Sequence, residues 1–174
     1  MKNNPGRMIS ILYRKGNIYK NDHLRPINVT ASEQPFLNAL YAKNGCSQDD
    51  LSSALNIDKA STARVIQSLL VKGLVVKTSD EKDRRVNRIY LTDKAMDIKE
   101  NLFSVLHNWE STLTDGLTDD EKDLLYSFLF KMVENTEKYF TKIAISICTL
   151  FVLPAKISEL DLKYMSRLGL AYSF

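Results

Sequence analysis

Residues 47–92, SQDDLSSALNIDKASTARVIQSLLVKGLVVKTSDEKDRRVNRIYLT, constrain the chain more than any other stretch. They read as a helix, a short turn, a second helix and a two-stranded ribbon with a charged tip. Ser47 is a good N-cap, and Asp49 and Asp50 fall in the first turn, where the positive end of the helix dipole favours acids. Leu51, Ala54 and Leu55 face inward. Asn56-Ile57 makes the turn, and Asp58 or Lys59 opens the next helix. That helix buries Ala63, Val65 or Ile66, Leu69 and Leu70, and stops at Gly73. Its outward face carries Lys59, Ser61, Thr62, Arg64, Gln67 and Ser68. Residues 74–78 are rich in β-formers and pair with 88–91 across the nine polar residues SDEKDRRVN, which makes a long hairpin.

A helix of this width fits the major groove of DNA, where base edges present a distinguishing pattern of donors and acceptors. Arg64 suits guanine, Gln67 suits adenine, and Ser61 or Thr62 can hold a phosphate. Four polar residues on a helix also describe a solvated face. The ribbon shifts the balance, because Arg84, Arg85 and Arg88 cluster beside the helix pair. Arginine entering a narrow minor groove gains from its enhanced negative potential. Asp83 would repel DNA by itself, but it suits a residue that fixes the Arg85 guanidinium by a bidentate pair.

The flanks read as helices. Residues 1–7 are polar, with Pro5 and Gly6, and read as loose; 8–21 carry Ile9, Leu12, Tyr13 and Ile18 at helical spacing. Pro26 breaks the chain. Thr30-Ala31-Ser32-Glu33 matches a capping box, with Ser32 as the alternative cap, ahead of Phe36, Leu37, Leu40 and Tyr41. Pro35 fits the first turn, and Asn44-Gly45 ends that helix. Thr92 caps a long helix bearing Ala95, Ile98, Leu102, Val105 or Leu106, Trp109 and Leu113, closed by Gly116. Thr118-Asp119-Asp120-Glu121 is a second capping box. The helix after it carries Leu124, Leu125, Phe128, Leu129, Met132, Val133, Tyr139 and Phe140, which cover more than one face and call for a partner chain. After Lys142 comes an apolar run, 143–153, then Pro154 and a short amphipathic stretch at 156–167.

The segment 48–75 followed by DRRVNRIYLT resembles the winged helix-turn-helix of the MarR family of bacterial transcription regulators. An Asp-x-Arg in the wing of that family is followed, after a short strand, by Leu-Thr opening the next helix, and Asp83, Arg85, Leu91 and Thr92 occupy those places. The likeness covers about residues 8–142. It implies a mainly α fold with a small β-hairpin, built as a winged helix-turn-helix plus long dimerisation helices. The divisions would be an N-terminal dimerisation helix (1–29), a DNA-binding domain (30–92), dimerisation helices (93–142) and an atypical extension (143–174). It also implies a homodimer on a pseudo-palindromic duplex, with Arg64 and its neighbours in the major groove and Arg85 in the minor groove. Family members are usually repressors released by a small, often aromatic or phenolic, ligand or by thiol oxidation. The extension departs from the family pattern. It extends the dimer interface, covers the effector pocket, offers a partner surface, or is a non-native read-through.

Enzyme chemistry finds no footing. His23 and His107 are the only histidines and lack ligands at metal spacing, no phosphate-binding glycine loop is present, and no cofactor is expected. Cys46 precedes a helix start and is a weak redox candidate; Cys148 sits in the apolar run and reads as buried. Phe103 and Trp109 read as core, or as the lining of an effector site whose residues the sequence does not name. The net charge is +3, so a nucleic-acid assignment rests on where the charge sits rather than on its sum. The apolar run is too short for a membrane span, which needs about 20 residues, and a cytoplasmic protein is expected. The expectation is a DNA-binding regulator without enzymatic activity, double-stranded DNA being its partner. The rival is a winged-helix protein-interaction module without specific DNA binding.

Overall fold

The computed structural model describes residues 4–80 and 87–151, with backbone alone for 144–151. Its helices are α1 (Pro5–Leu24), α2 (Gln34–Ala42), α3 (Gln48–Leu55), α4 (Lys59–Val71), α5 (Asp93–Asp97), α6 (Lys99–Leu113) and α7 (Asp119–Phe151). Strands β1 (Cys46–Ser47), β2 (Val75–Ser79) and β3 (Asn87–Leu91) form one antiparallel sheet in the order β1-β3-β2. The described residues divide into two units, one ending at Leu113 and the other beginning at Thr114.

In the first unit the core lies where α2, α3, α4 and the sheet converge. Phe36, Leu37 and Leu40 of α2, Leu51 of α3, Leu69 of α4 and Ile89 of β3 are each at most 1% exposed. The caps are local. Ser47 Oγ accepts from the Asp50 N–H at 3.0 Å while Asp50 accepts from the Ser47 N–H at 2.9 Å, so α3 starts with a full capping box. Asn56 takes the left-handed conformation (φ 52°) to turn the chain, and Asp58 then caps α4 through the Ser61 N–H at 2.9 Å. Gly73, at φ 68°, ends α4 with the Leu74 N–H bonded back to the Leu69 carbonyl. Thr30 makes the box ahead of α2, and Ser32 only shares a hydroxyl contact with it.

Several expectations need correction. Helix α1 begins at Pro5 rather than after a loose end, because Asn4 caps the Gly6 N–H at 2.9 Å and proline suits the first helical position. Ala54 is exposed rather than inward. The helix opened by Thr92 is two helices, parted at Ile98. Strand β1 joins the expected two-stranded ribbon as a third strand, and its two residues are too few to show an alternation in sequence. Its pairing of Cys46 with Ile89 buries that thiol to 6% exposure, and Cys46 Sγ donates to the Lys43 carbonyl at 3.1 Å. A buried, hydrogen-bonded thiol behaves as a small hydrophobe, which removes Cys46 as a redox candidate.

Helix α1 packs on α6. Gly16 is buried because a Cβ there would lie 3.3 Å from the Trp109 ring, and Tyr19 stacks on the same ring with centroids 5.0 Å apart. Towards its N-terminal end α1 leaves Ile9, Leu12 and Tyr13 exposed on the same side as Gly16, and Ile18 is exposed on the other side. The second unit is α7, whose 33 residues span about 50 Å. It starts with the Thr118–Glu121 box and does not break at Lys142, so the first part of the apolar run continues the helix. Leu124, Phe128, Phe130, Val133 and Tyr139 are all more than half exposed. The side chain of Cys148 and the stretch 152–174 lie outside the described residues. Among the described residues no helix is long and apolar enough to cross a membrane.

Candidate nucleic-acid interface

Helix α4 has two opposed stripes. Thr62, Ile66 and Leu69, at i, i+4 and i+7, are buried at 0–2% exposure. The spacing of 3.6 residues per turn then forces Ala60, Arg64, Gln67 and Val71 outward, and all four are exposed. Arg64 is steadied by donating from Nη2 to Ser61 Oγ at 3.0 Å. Lys59 is exposed beside that stripe and pairs with Asp49 at 3.0 Å. Both partners of that pair are solvated, so it contributes little.

Two of the residues expected on the outward face are elsewhere. Thr62 is fully buried, and its Oγ1 has no hydrogen-bond partner, so it fills the role of a similarly shaped valine and cannot touch DNA. Ser68 sits on the flank, its hydroxyl donating to Glu33 Oε1 at 2.6 Å. Ala60 and Val71 were missed because apolar residues on a helix are read as core. The signal that would have found them is their i, i+4, i+7, i+11 spacing with Arg64 and Gln67. An alanine methyl on such a stripe suits the methyl group of thymine.

In the wing, β2 and β3 pair with Val76 opposite Tyr90 and Thr78 opposite Arg88. Arg88 was expected to reach DNA. Instead its Nε is paired with Asp80, and Nη1 donates to the Gly45 carbonyl at 3.1 Å. The Asp80 bond and its charge raise the Arg88 pKa further above its ordinary value. Arg88 therefore clasps the ribbon to the α2–β1 turn. Gly45 makes that close approach feasible: at φ 80° a Cβ would lie 2.7 Å from the Tyr90 ring. Asp83, Arg84 and Arg85 lie outside the described residues.

Glu33 is a buried carboxylate set against α4. It is 2% exposed, and Oε2 accepts from the Thr30 N–H at 2.8 Å and from Lys72 Nζ at 2.7 Å. Burial pushes its pKa up, but the bonds from Lys72, Ser68 and Thr30 together outweigh burial and leave it lowered. Asp50 is also lowered, first by the Ser47 N–H and then by the Ser47 hydroxyl. A third cluster joins α2 to the helices after the wing. Tyr41 donates to the Ala95 carbonyl at 2.5 Å, its ring lies 5.7 Å from that of Phe103, and Lys99 stands 5.5 Å over it. Among the described residues no cluster of three or more His, Cys, Asp or Glu could hold a metal.

A family model described as "MarR family" matches residues 27–86. The HTH-type transcriptional regulator BilQ of Clostridium symbiosum (strain WAL-14163) is 32% identical over 97 residues, covering 56% of this chain and 67% of the relative. A MarR transcriptional regulator from Methanosarcina mazei Go1 superposes with a TM-score of 0.73 at 36% identity, over 77% of this chain and 96% of that one. A mutant MarR from E. coli complexed with operator DNA superposes with a TM-score of 0.68 at 26% identity, over 73% and 91% of the two chains.

Proposed function

This chain belongs to the MarR family of transcriptional regulators, and on that premise we propose that it is a homodimeric repressor of pseudo-palindromic duplex DNA, released by a small ligand. It is a regulator with a DNA-binding fold and not an enzyme.

The observation that carries the DNA reading is the two-striped α4. Its apolar stripe is fully used by the core, and its outward stripe combines Arg64 and Gln67 with two small or aliphatic side chains. Arg64 would pair with guanine and Gln67 with adenine; Ser61 and Lys59 would engage phosphate. The relative solved with operator DNA supports the same use of the fold. By sequence alone, Arg84 and Arg85 would reach the minor groove from the wing tip with Asp83 orienting Arg85. Residues 30–92 would thus be the reading head, and 1–29 with 93–142 the dimerisation elements. The exposed apolar residues of α1 and, separately, of α7 support a second copy as partner, because large apolar side chains left in water on each helix are costly. Two heads held by such a dimer would meet half-sites about 34–36 Å apart. For the effector, the Tyr41–Phe103 ring pair under Lys99 suits an aromatic anion, which could stack on the rings and pair with the ammonium.

Fluorescence anisotropy with duplex DNA from upstream of the protein's own gene, at two salt concentrations, tests this reading. Binding should weaken steeply with salt. Arg64→Ala should cost about 1–3 kcal/mol of binding to the specific duplex. If no duplex binds in a salt-dependent way, the chain is an interaction module instead. Light scattering checks the dimer, and a rise in melting temperature with aromatic acids checks the effector.

A further inference from the structure

Resting on the assignment of α4 as the DNA-reading helix, we propose that Glu33 is a positioning residue that fixes the rotation of α4 about its own axis. It thereby decides which bases the Arg64–Gln67 stripe can read.

Three observations converge on this. First, the buried stripe of α4 gives no directional hold. Ile66 and Leu69 pack by apolar contact, which is non-directional, and the Thr62 hydroxyl has no hydrogen-bond partner. Second, Glu33 grips α4 at two points one turn apart. Ser68 donates to Oε1 at 2.6 Å and Lys72 to Oε2 at 2.7 Å. Residues four apart share one face of a helix, so both bonds lie on the flank between the buried and outward stripes. Third, the carboxylate is itself anchored. It closes the capping box with Thr30, accepting from that N–H at 2.8 Å, so it cannot follow the helix if the helix rolls. The grip is inside the protein, with the Lys72 side chain 18% and the Glu33 side chain 3% exposed. The ion pair of Lys59 with Asp49, also on α4, is solvated on both sides and cannot substitute for it.

The geometry makes roll the sensitive coordinate. A side-chain tip about 6 Å from a helix axis moves by about 2 Å when the helix rolls by about 20°. Readout geometries tolerate only about 0.5 Å. Phosphate contacts are made by long, adaptable side chains and carry no sequence information, so they survive such a roll. Loss of Glu33 should therefore erode discrimination between sequences while sparing general affinity for DNA. An element that merely stabilised the fold would lower both together.

The test begins by selecting a preferred duplex from a randomised library with the intact wild-type protein. Affinities for that duplex and for a shuffled one of the same composition are then measured at two salt concentrations for wild type, Glu33→Gln, Ser68→Ala and Glu33→Gln/Lys72→Met. Glutamine keeps the size of Glu33 and, with its oxygen on the Thr30 N–H, removes the charge that pairs with Lys72 and turns an amide donor towards Ser68, whose hydroxyl must reverse to accept it. The preferred-to-shuffled ratio should fall by about tenfold in Glu33→Gln and by about threefold in Ser68→Ala. Adding Lys72→Met should lower it little further, because the residues act as one unit. Affinity for the shuffled duplex and its salt slope should hold or tighten slightly, one negative charge having been removed. Ser68→Ala, which leaves the capping box and the core intact, carries the test if Glu33→Gln fails to fold. An unchanged ratio in the variants that fold overturns the proposal, as does a parallel fall of both affinities with the melting temperature. If wild type prefers no sequence at all, the DNA reading itself falls, and this proposal with it.

Discussion

The chain contains the same four-residue cap twice, in two very different settings. Thr30–Glu33 precedes α2 and Thr118–Glu121 precedes α7, and the two boxes have the same dimensions: 2.8 Å from the threonine N–H to the glutamate and 3.3 Å for the return bond. Glu121 stands in solvent and does nothing more than cap, its pKa lowered by the Thr118 N–H and hydroxyl. Glu33 is buried and has acquired Ser68 and Lys72 from the far side of the head. Local sequence determines the cap. What a capping residue does besides capping depends on which residues, distant in sequence, the fold brings against it. The two units differ in the same sense, since the head encloses its apolar residues while α7 presents them to solvent.

The sharpest way to break this contrast is to shave one apolar side chain in each unit. Leu37→Ala, in the head core, should cost about 2–5 kcal/mol of unfolding free energy, the same at any protein concentration. Phe128→Ala, at 55% exposure on α7, should instead lower stability in a concentration-dependent way, since the loss falls on an association equilibrium. Denaturant titrations at two protein concentrations read both, and a concentration-independent loss in Phe128→Ala would refute a second copy on α7. Next come the two glutamates. Glu33→Ala should cost about 2–3 kcal/mol by stranding Lys72 and Ser68, whereas Glu121→Ala should leave the melting temperature close to wild type.

The glycines offer a smaller version of the same comparison. Gly45 and Gly116 both have positive φ, 80° and 77°, but only Gly45 has a neighbour, the Tyr90 ring. Gly116→Ala should cost about 1 kcal/mol for its backbone alone, and Gly45→Ala about 2–3 kcal/mol because the ring must also move. The finest test is acid. Glu33 has a folded pKa below its ordinary 4.5, so its contribution is complete above that value and is lost as pH falls through the folded pKa. Glu33→Gln should flatten the acid limb of a melting-temperature profile and leave the neutral region displaced but parallel. An acid limb as steep as wild type would show that other carboxylates, Asp50 among them, dominate it.

Much of the head was legible because its signals are local. Ser47, Thr30, Thr92 and Thr118 were found as caps, since a cap needs only its own next three residues. Asn56 and Gly73 were found as turns because each takes a backbone conformation that few residues adopt cheaply. Strand β1 escaped because a two-residue strand is defined by its partner, not by itself. The candidate interface was half legible. Arg64 and Gln67 are exposed where the periodicity puts them, Thr62 is buried despite its polarity, and Arg88 has partners that its charge alone does not name.

The sequence by itself determined the order of the helices, their caps, the ribbon and membership of the family's pattern, because each is written in short windows of hydrophobic spacing and turn chemistry. Only the tertiary structure decided what the polar side chains between those signals do. Burial turned Thr62 into core, and the approach of β3 to the α2–β1 turn made Arg88 a clasp. The meeting of α2 with α4 gave the capping residue Glu33 its grip on Ser68 and Lys72. A hydroxyl, a guanidinium or a carboxylate takes its role from its partners and its exposure to water, and both come from chain segments that short windows do not contain.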